Sequence, residues 1–268
     1  MQLNKKAEVV NGSKQIYTEL VVAAHQDDIE IMCPQAIIKG YQSDKYGVVG
    51  VVCADGSGSP RSGPFAHMTN EEMMKVRRLE QIKAAEIGDY SALVMLNYTS
   101  SELKDRSNES PKDDIKEIIL NYKPETMYIH NLADKHPTHV GTAVNCIKAL
   151  RALPKEARPK KLYGCEVWRN LDWLADEEKV FFDLTGYEQL MRDVLDVYES
   201  QIAGGKEYCT AAIGRRAGNA TFSASHGVDV AEHVAYGMDL TILIEDDSID
   251  PKQFIVDKIM QFAKDILI

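Results

Sequence analysis

An α/β fold, a Rossmann-like three-layer sandwich on a mainly parallel sheet, is what this sequence predicts, and three observations carry the prediction. Apolar runs of strand length alternate with longer amphipathic stretches over the first 165 residues. The leading runs, YTELVVAA and YGVVGVVC, are near-continuous and β-branched, as strands covered on both faces are. Each run is followed by a helical pattern, which implies right-handed crossovers and parallel neighbours.

Taken in order, strands are expected at residues 17–24, 46–53, 92–96 and 125–130, with helices at 29–41, 70–87, 112–122 and 138–153 between and after them. The helix at 70–87 starts on a Thr-Asn cap and stops at Gly88. The second half is less regular: a strand at 179–184, a helix at 186–202, a strand at 239–245, and a closing helix at 251–268 after the DDSID turn. The one Gly/Ser/Pro-rich segment, DGSGSPRSG at 55–63, is short enough to be a loop rather than a linker. Residues 1–268 are therefore expected to form one domain, with a core over about 15–170 and a C-terminal part that completes a sheet edge and caps a pocket.

Charge and composition exclude several classes. Lys and Arg number 31 against 41 Asp and Glu, a net charge of −10, so nucleic acid and acidic membrane surfaces are repelled. The five cysteines, Cys33, Cys53, Cys146, Cys165 and Cys209, are odd in number and never in C-x-x-C spacing, against both a disulfide framework and a thiolate zinc site. No stretch approaches the roughly 20 apolar residues of a membrane span, and the first residues hold no signal-peptide run; a cytoplasmic protein is expected. A homo-oligomer of cyclic symmetry is the expectation from base rates for soluble enzymes.

The chemistry concentrates after two strands. His25-Gln26-Asp27-Asp28-Ile29-Glu30 follows the first, and NLADKHPTH, ending at His139, follows the fourth. Open α/β sheets bind ligands at the carboxyl ends of strands, and if the first and fourth strands are adjacent the two clusters meet at the topological switch point. Two histidines and one carboxylate with a fourth position open form the ligand set of a hydrolytic zinc site, where bound water falls to a pKa of about 7. Of the pair Asp27-Asp28, one carboxylate can then bind metal while the other serves as general base. No G-x-G-x-x-G follows the first strand, which weighs against nicotinamide binding.

The stretch A-H-Q-D-D-I-E at 24–30, together with D-K-H-P-T-H at 134–139, resembles the paired signature of the LmbE-like, PIG-L-type zinc N-deacetylases. Arg77-Arg78-Leu79-Glu80 with Ala84 and Gly88 is similar to that family's R-x-x-E helix, Asp55-Gly56 to the loop after its second strand, Ser200-Gln201 to its S-Q helix end, and Ala231-Glu232 to its A-E pair. The resemblance implies His25, Asp28 and His139 as ligands of one Zn²⁺ per chain, Asp27 as general base, His136 facing the oxyanion or the leaving amine, and Arg77 as a substrate contact. It implies a hydrolase that removes the acetyl group from an N-acetylated amino sugar, such as N-acetylglucosamine, or a conjugate of one.

Two positions depart from the family pattern: Gln26 stands where Pro is usual, and Thr138 where Asp is usual. Without that Asp, His136 lacks a partner that would raise its pKa, so either Asp134 substitutes or the enzyme runs with a lower-pKa His136. The different-class alternative is a non-catalytic sugar- or nucleotide-binding protein of the same fold, which has no need of Asp27 beside Asp28. His226 and His233, with Asp229 or Glu232, match no ligand spacing and read as part of a cap. Trp168 and Trp173 read as core or loop anchors.

Overall fold

A computed structural model describes residues 1–224 and 226–266. In chain order the first half runs β1 (Glu8–Asn11), β2 (Glu19–Ala23), α1 (Asp28–Met32), α2 (Pro34–Gly40), β3 (Val48–Ala54), α3 (Asn70–Ile87), β4 (Ala92–Tyr98), α4 (Ser100–Lys104), α5 (Ser110–Tyr122), β5 (Thr126–His130) and α6 (Pro137–Arg151). The second half adds β6 (Lys161–Cys165), β7 (Lys179–Asp183), α7 (Glu188–Asp196), α8 (Glu199–Ala203), α9 (Tyr208–Phe222), β8 (Val234–Asp239), α10 (Ile242–Glu245) and α11 (Pro251–Asp265).

The eight strands form one sheet in the order β1-β4-β3-β2-β5-β6-β8-β7. The inner five, β4-β3-β2-β5-β6, are parallel, while β1 and the β8-β7 pair add antiparallel edges. Strand β2 pairs with both β3 and β5, so the turns that leave β2 and β5 emerge side by side. This adjacency of the first and fourth predicted strands brings the two motif clusters together.

Strand β2 shows why the sheet is covered twice. All five of its residues are buried, and alternate side chains serve different cores. Leu20 and Val22 pack with Ile118, Ile119 and Leu150 of α5 and α6, whereas Val21 and Ala23 pack with Ile29, Ile37 and Val194 of α1, α2 and α7. Each such aliphatic side chain contributes about 1.5–3 kcal/mol on burial, enough in sum to lock the register that aims the two turns. Helix α3 forms as expected, with Thr69 and Glu72 in a reciprocal capping box.

Several elements differ from expectation for identifiable reasons. The helix predicted at 29–41 breaks into α1 and α2 at Cys33, because Pro34 brings no N–H and opens the second helix at its first turn. The helix predicted at 186–202 divides into α7 and α8. The strand predicted at 239–245 is instead the last residue of β8, a turn in which Asp239 Oδ1 accepts the Thr241 N–H at 2.8 Å, and α10. Strands β1 and β6, all of β8 before Asp239, and helices α4 and α9 were not anticipated. The final two residues of the predicted closing helix lie outside the described residues. No helix among the described residues is long and apolar enough to cross a membrane.

Candidate metal centre and catalytic cavity

At the carboxyl end of β2 the chain turns abruptly. Asp27 takes a left-handed backbone conformation (φ 87°, ψ −24°), unusual for a residue other than glycine, and α1 starts immediately behind it. The turn sends Asp27 and Asp28 in different directions. Asp28 Oδ2 accepts the His25 backbone N–H at 2.7 Å, which folds the Asp28 carboxylate back toward the His25 ring. From the neighbouring strand, Pro137 starts α6 and places His139 in its first turn, aimed at the same point.

Three donor atoms meet there. His25 Nδ1 lies 3.1 Å from His139 Nε2 and 3.2 Å from Asp28 Oδ2, and His139 Nε2 lies 3.3 Å from Asp28 Oδ2. A tetrahedral zinc with ligand bonds of about 2.0–2.1 Å has ligand-to-ligand edges of about 3.3–3.4 Å, so this triangle is already the size of one face of such a site. The tautomers fit as well. Asp134 Oδ2 stands 3.2 Å from His139 Nδ1, at ion-pair distance though outside hydrogen-bond alignment, and its charge favours a proton on Nδ1, so that in the neutral ring it is the Nε2 lone pair that faces inward. Asp134 is itself fixed by the backbone N–H groups of His136 (3.0 Å) and Val167 (3.3 Å).

Two further histidines border the triangle, and His25, His136 and His139 also converge as a set, as do Asp28, His130 and His139. His130, at the end of β5, stacks on His139 with centroids 4.0 Å apart and sits 3.4 Å from Asp28 Oδ2. Its Nε2 accepts the Ala24 N–H at 2.9 Å, so that lone pair is spent, and Nδ1 carries the proton into a buried site with no partner. His130 is therefore a supporting wall. His136 caps α6, its Nδ1 accepting the Thr138 N–H at 3.3 Å, which places the proton of the neutral ring on Nε2.

Electrostatics follow from this packing. Burial alone would raise Asp28, but His139, His130 and His25 hold its carboxyl well below the usual range. Burial opposes a charge on His139, yet Asp28 and Asp134 raise it to about 10. Burial, assisted by His25 and His139, lowers His136 and, assisted by His139, lowers His130 to about 4. Asp27 is pushed up to about 7 by burial, with Arg77 opposing and Asp28 reinforcing the rise.

The triangle opens on a cavity of about 410 Å³ whose lining includes Asp27, Asp55, His136, Trp168, Gln201 and Tyr208. Arg77 also borders it but is only 1% exposed, and both of its Nη atoms are engaged by protein groups. Gly56 makes the close approach there, with φ 77°; a side chain at that position would meet the stem of Arg77 and Gln26 Oε1, each at 2.9 Å. Thr138 is buried and its hydroxyl supplies no charge to His136. Of the two tryptophans, Trp173 is an anchor, donating to Glu166 at 3.0 Å, whereas Trp168 lines the cavity with its buried Nε1 unpaired. His226 is exposed, and His233 is buried 3.7 Å from Glu188. Sequence reasoning missed the roles of His130, Gln81 and Glu30; the signals present were the position of His130 at a strand end and the place of Glu30 at the end of the A-H-Q-D-D-I-E motif.

Residues 20–150 match the model of the PIG-L family, GlcNAc-PI de-N-acetylase. No curated protein matches the sequence. Among solved structures, the conserved protein TT1542 of Thermus thermophilus superposes with a TM-score of 0.67 at 15% identity, over 84% of this chain and 95% of that one. The N,N'-diacetylchitobiose deacetylase of Pyrococcus horikoshii, complexed with its inhibitor MPG, gives 0.66 at 15% identity over 85% of each chain. The 4-carboxy-2-hydroxymuconate hydratase GalB of Pseudomonas putida gives 0.64 at 18% identity, over 84% and 96%. At these identities the likeness is one of fold, and a hydratase beside a deacetylase shows that this fold carries more than one chemistry.

Proposed function

From the premise that residues 20–150 are a PIG-L family domain, we propose that this protein is a zinc-dependent hydrolase that removes the N-acetyl group from an amino sugar or its conjugate. The observation that carries the reading is the His25-Asp28-His139 triangle with a second carboxylate, Asp27, beside it and outside it. A binding protein or a purely structural metal site has no use for Asp27 at that place. We read the fold as a Rossmann-like three-layer sandwich, which the parallel inner strands and the two-sided core support. Five free thiols fit a reducing compartment, and we assign the enzyme to the cytoplasm.

His25, Asp28 and His139 would hold the metal, with Asp134 orienting His139. Bound there, zinc supplies Lewis acidity and lowers the pKa of a coordinated water. Asp27, with its pKa near 7, is ionised enough at neutral pH to take the proton of the attacking water and acidic enough afterwards to pass it to the leaving amine. His136, which as a neutral ring carries its proton on Nε2, donates to the oxyanion that develops on the acetyl group. Of the two accounts of Thr138, the contacts support the lower-pKa His136, because the Asp134 side chain is committed to His139 and to backbone N–H groups. Trp168, with Tyr208 edge-on at 6.3 Å, offers an aromatic wall for a sugar ring.

Metal analysis with acetate release from N-acetylglucosamine conjugates tests the proposal. The purified protein is expected to hold about one zinc per chain. Asp27→Ala should keep the metal and lose turnover, and His139→Ala should lose both. Full activity in Asp27→Ala would overturn the mechanism.

A further inference from the structure

We infer that Arg77 and Gln81 of α3 are positioning residues that hold Asp27 in its working orientation, and that Arg77 does not bind substrate. The inference deepens the deacetylase reading above and rests on it for its kinetic consequences. It starts from the backbone. Asp27 occupies a strained left-handed conformation, and its side chain makes no capping bond to α1, the helix it precedes. The one local bond it makes is through its backbone carbonyl, which accepts the Ile31 N–H at 3.0 Å and leaves the side chain and the N–H without a local partner. What holds it comes from α3, where Arg77 and Gln81 are four residues apart and so share one face.

Gln81 acts on the backbone and Arg77 on the carboxylate. Gln81 Oε1 accepts the Asp27 N–H at 3.3 Å. Arg77 Nη2 donates to Asp27 Oδ2 at 2.9 Å and to the Gln26 carbonyl. Among the described residues no donor reaches Asp27 Oδ1, so one oxygen is clamped and the other is left for a proton from the cavity. The two holders are themselves held. Arg77 Nη1 donates to Glu80 Oε2 at 2.8 Å and to Ser200 Oγ at 3.1 Å, and its guanidinium lies 5.2 Å over the Tyr198 ring. Gln81 Nε2 donates to Glu30 Oε1 at 2.9 Å, and its Oε1 accepts the Tyr198 hydroxyl at 3.0 Å.

Glu30 closes the network. This fully buried carboxylate, for which the proposed reaction has no direct use, accepts from Tyr90 at 2.7 Å and Tyr198 at 2.8 Å as well as from Gln81. Fixed in this way, Gln81 cannot rotate its carbonyl away from Asp27 without also breaking its bonds to Glu30 and Tyr198. The C-terminal part contributes through Glu80, which accepts both the Ser200 N–H and its hydroxyl at 2.7 Å. A substrate-binding arginine would present an Nη atom to the cavity. Here both Nη atoms are used internally, and Nε is buried without a partner.

The test uses Gln81→Met, Arg77→Lys and the double variant Arg77→Met/Glu80→Gln, which removes both members of the buried ion pair so that neither is stranded. For each, kcat and KM for acetate release are measured on the zinc-loaded enzyme. Zinc affinity is measured by calorimetry on the metal-free protein. Gln81→Met and the double variant are expected to lose kcat by roughly 100-fold with KM changed less than about twofold, and Arg77→Lys to recover roughly 10-fold of that loss. Zinc affinity is expected to stay within about threefold, since neither residue touches the ligand triangle. A raised KM at unchanged kcat would make Arg77 a substrate contact and overturn the inference, and so would a fall in zinc affinity that tracks kcat. Crystal structures of wild type and Gln81→Met give a readout independent of turnover. Asp27 is expected to leave its left-handed conformation in the variant, and an unmoved Asp27 overturns the inference. If wild type releases no acetate, the deacetylase reading fails, while the crystallographic comparison still decides the positioning claim.

Discussion

The His139 ring lies between two carboxylates, Asp28 3.3 Å from Nε2 and Asp134 3.2 Å from Nδ1, and against the opposing effect of burial they raise its pKa to about 10. The Nδ1 proton stays with Asp134 when a metal arrives; the proton that must leave is the one on Nε2. A zinc ion held there as proposed would compete with a proton at every pH below about 10, and its apparent affinity should rise tenfold per pH unit from about 7 to that limit. At pH 7 the competition amounts to about three units, or about 4 kcal/mol of binding free energy withheld relative to the alkaline limit. The sign for folding is opposite. A histidine whose pKa is raised on folding stabilises the metal-free fold fully below its unfolded value of about 6.5, and the contribution disappears as pH climbs through about 10. Zinc should accordingly take over the stabilising role in the range where the proton is lost. The perturbation is Asp134→Asn. It lowers the proton affinity of His139, so log affinity should stop rising at a lower pH than in wild type, while the alkaline limit itself falls about 10- to 100-fold through the lost orientation of the ring. Competition with a chelating dye from about pH 6 to 10, in parallel for wild type and variant, measures both. A pH-independent wild-type affinity, or a variant whose affinity levels off at the same pH as that of wild type, would refute the reasoning.

Three other outcomes are expected. Thr138→Asp should raise the pKa of His136, now lowered by burial and by His25 and His139, so that its ring titrates at higher pH than in wild type; superimposable His136 titrations by NMR in the two proteins would show that position 138 does not tune His136. Trp168→Ala should raise KM for the acetylated sugar roughly tenfold, about 1.4 kcal/mol, with kcat little changed, and an unchanged KM would remove Trp168 from the sugar subsite. Arg158 donates to the Leu153, Ile244 and Arg151 carbonyls and pairs with both oxygens of Asp247, tying the end of α6 to α10; Arg158→Ala should lose about 2–4 kcal/mol in urea unfolding, and a loss under about 0.5 kcal/mol would count against this tie.

The sequence announced those parts of the molecule whose causes are local. The runs around Val21, Val51, Val94 and Ile129 are buried on both faces, so their continuous apolarity marks them as inner strands. Strand β1 escaped because it is four residues long at a sheet edge, half of it solvent-facing, with no apolar run to find. Helix α9 escaped because Gly214, Gly218 and two threonines dilute its periodicity, and its place is decided by tertiary contacts such as those of Arg216 with the Glu30 and Ile31 carbonyls. The site divides in the same way. His25, Asp28 and His139 sit in short motifs, and neighbours in a motif can be read together. Arg77 reaching Asp27 across 50 residues, or Ser200 reaching Glu80 across 120, depends on how elements pack, and no spacing encodes that.

The ligand triangle joins two residues 114 positions apart in the chain. A metal bound there is a long-range cross-link, comparable in span to a disulfide closing a loop of that length, for which chain entropy alone corresponds to on the order of 5 kcal/mol. With His25, Asp28 and His139 as ligands, the half-site at His25 and Asp28 would have no partner until β5 and the start of α6 were made, so loading would follow folding. Metal scarcity would then act on the lifetime of the protein as well as on its turnover. Chains without the cross-link open more often, and it is the opened chain that proteases cut.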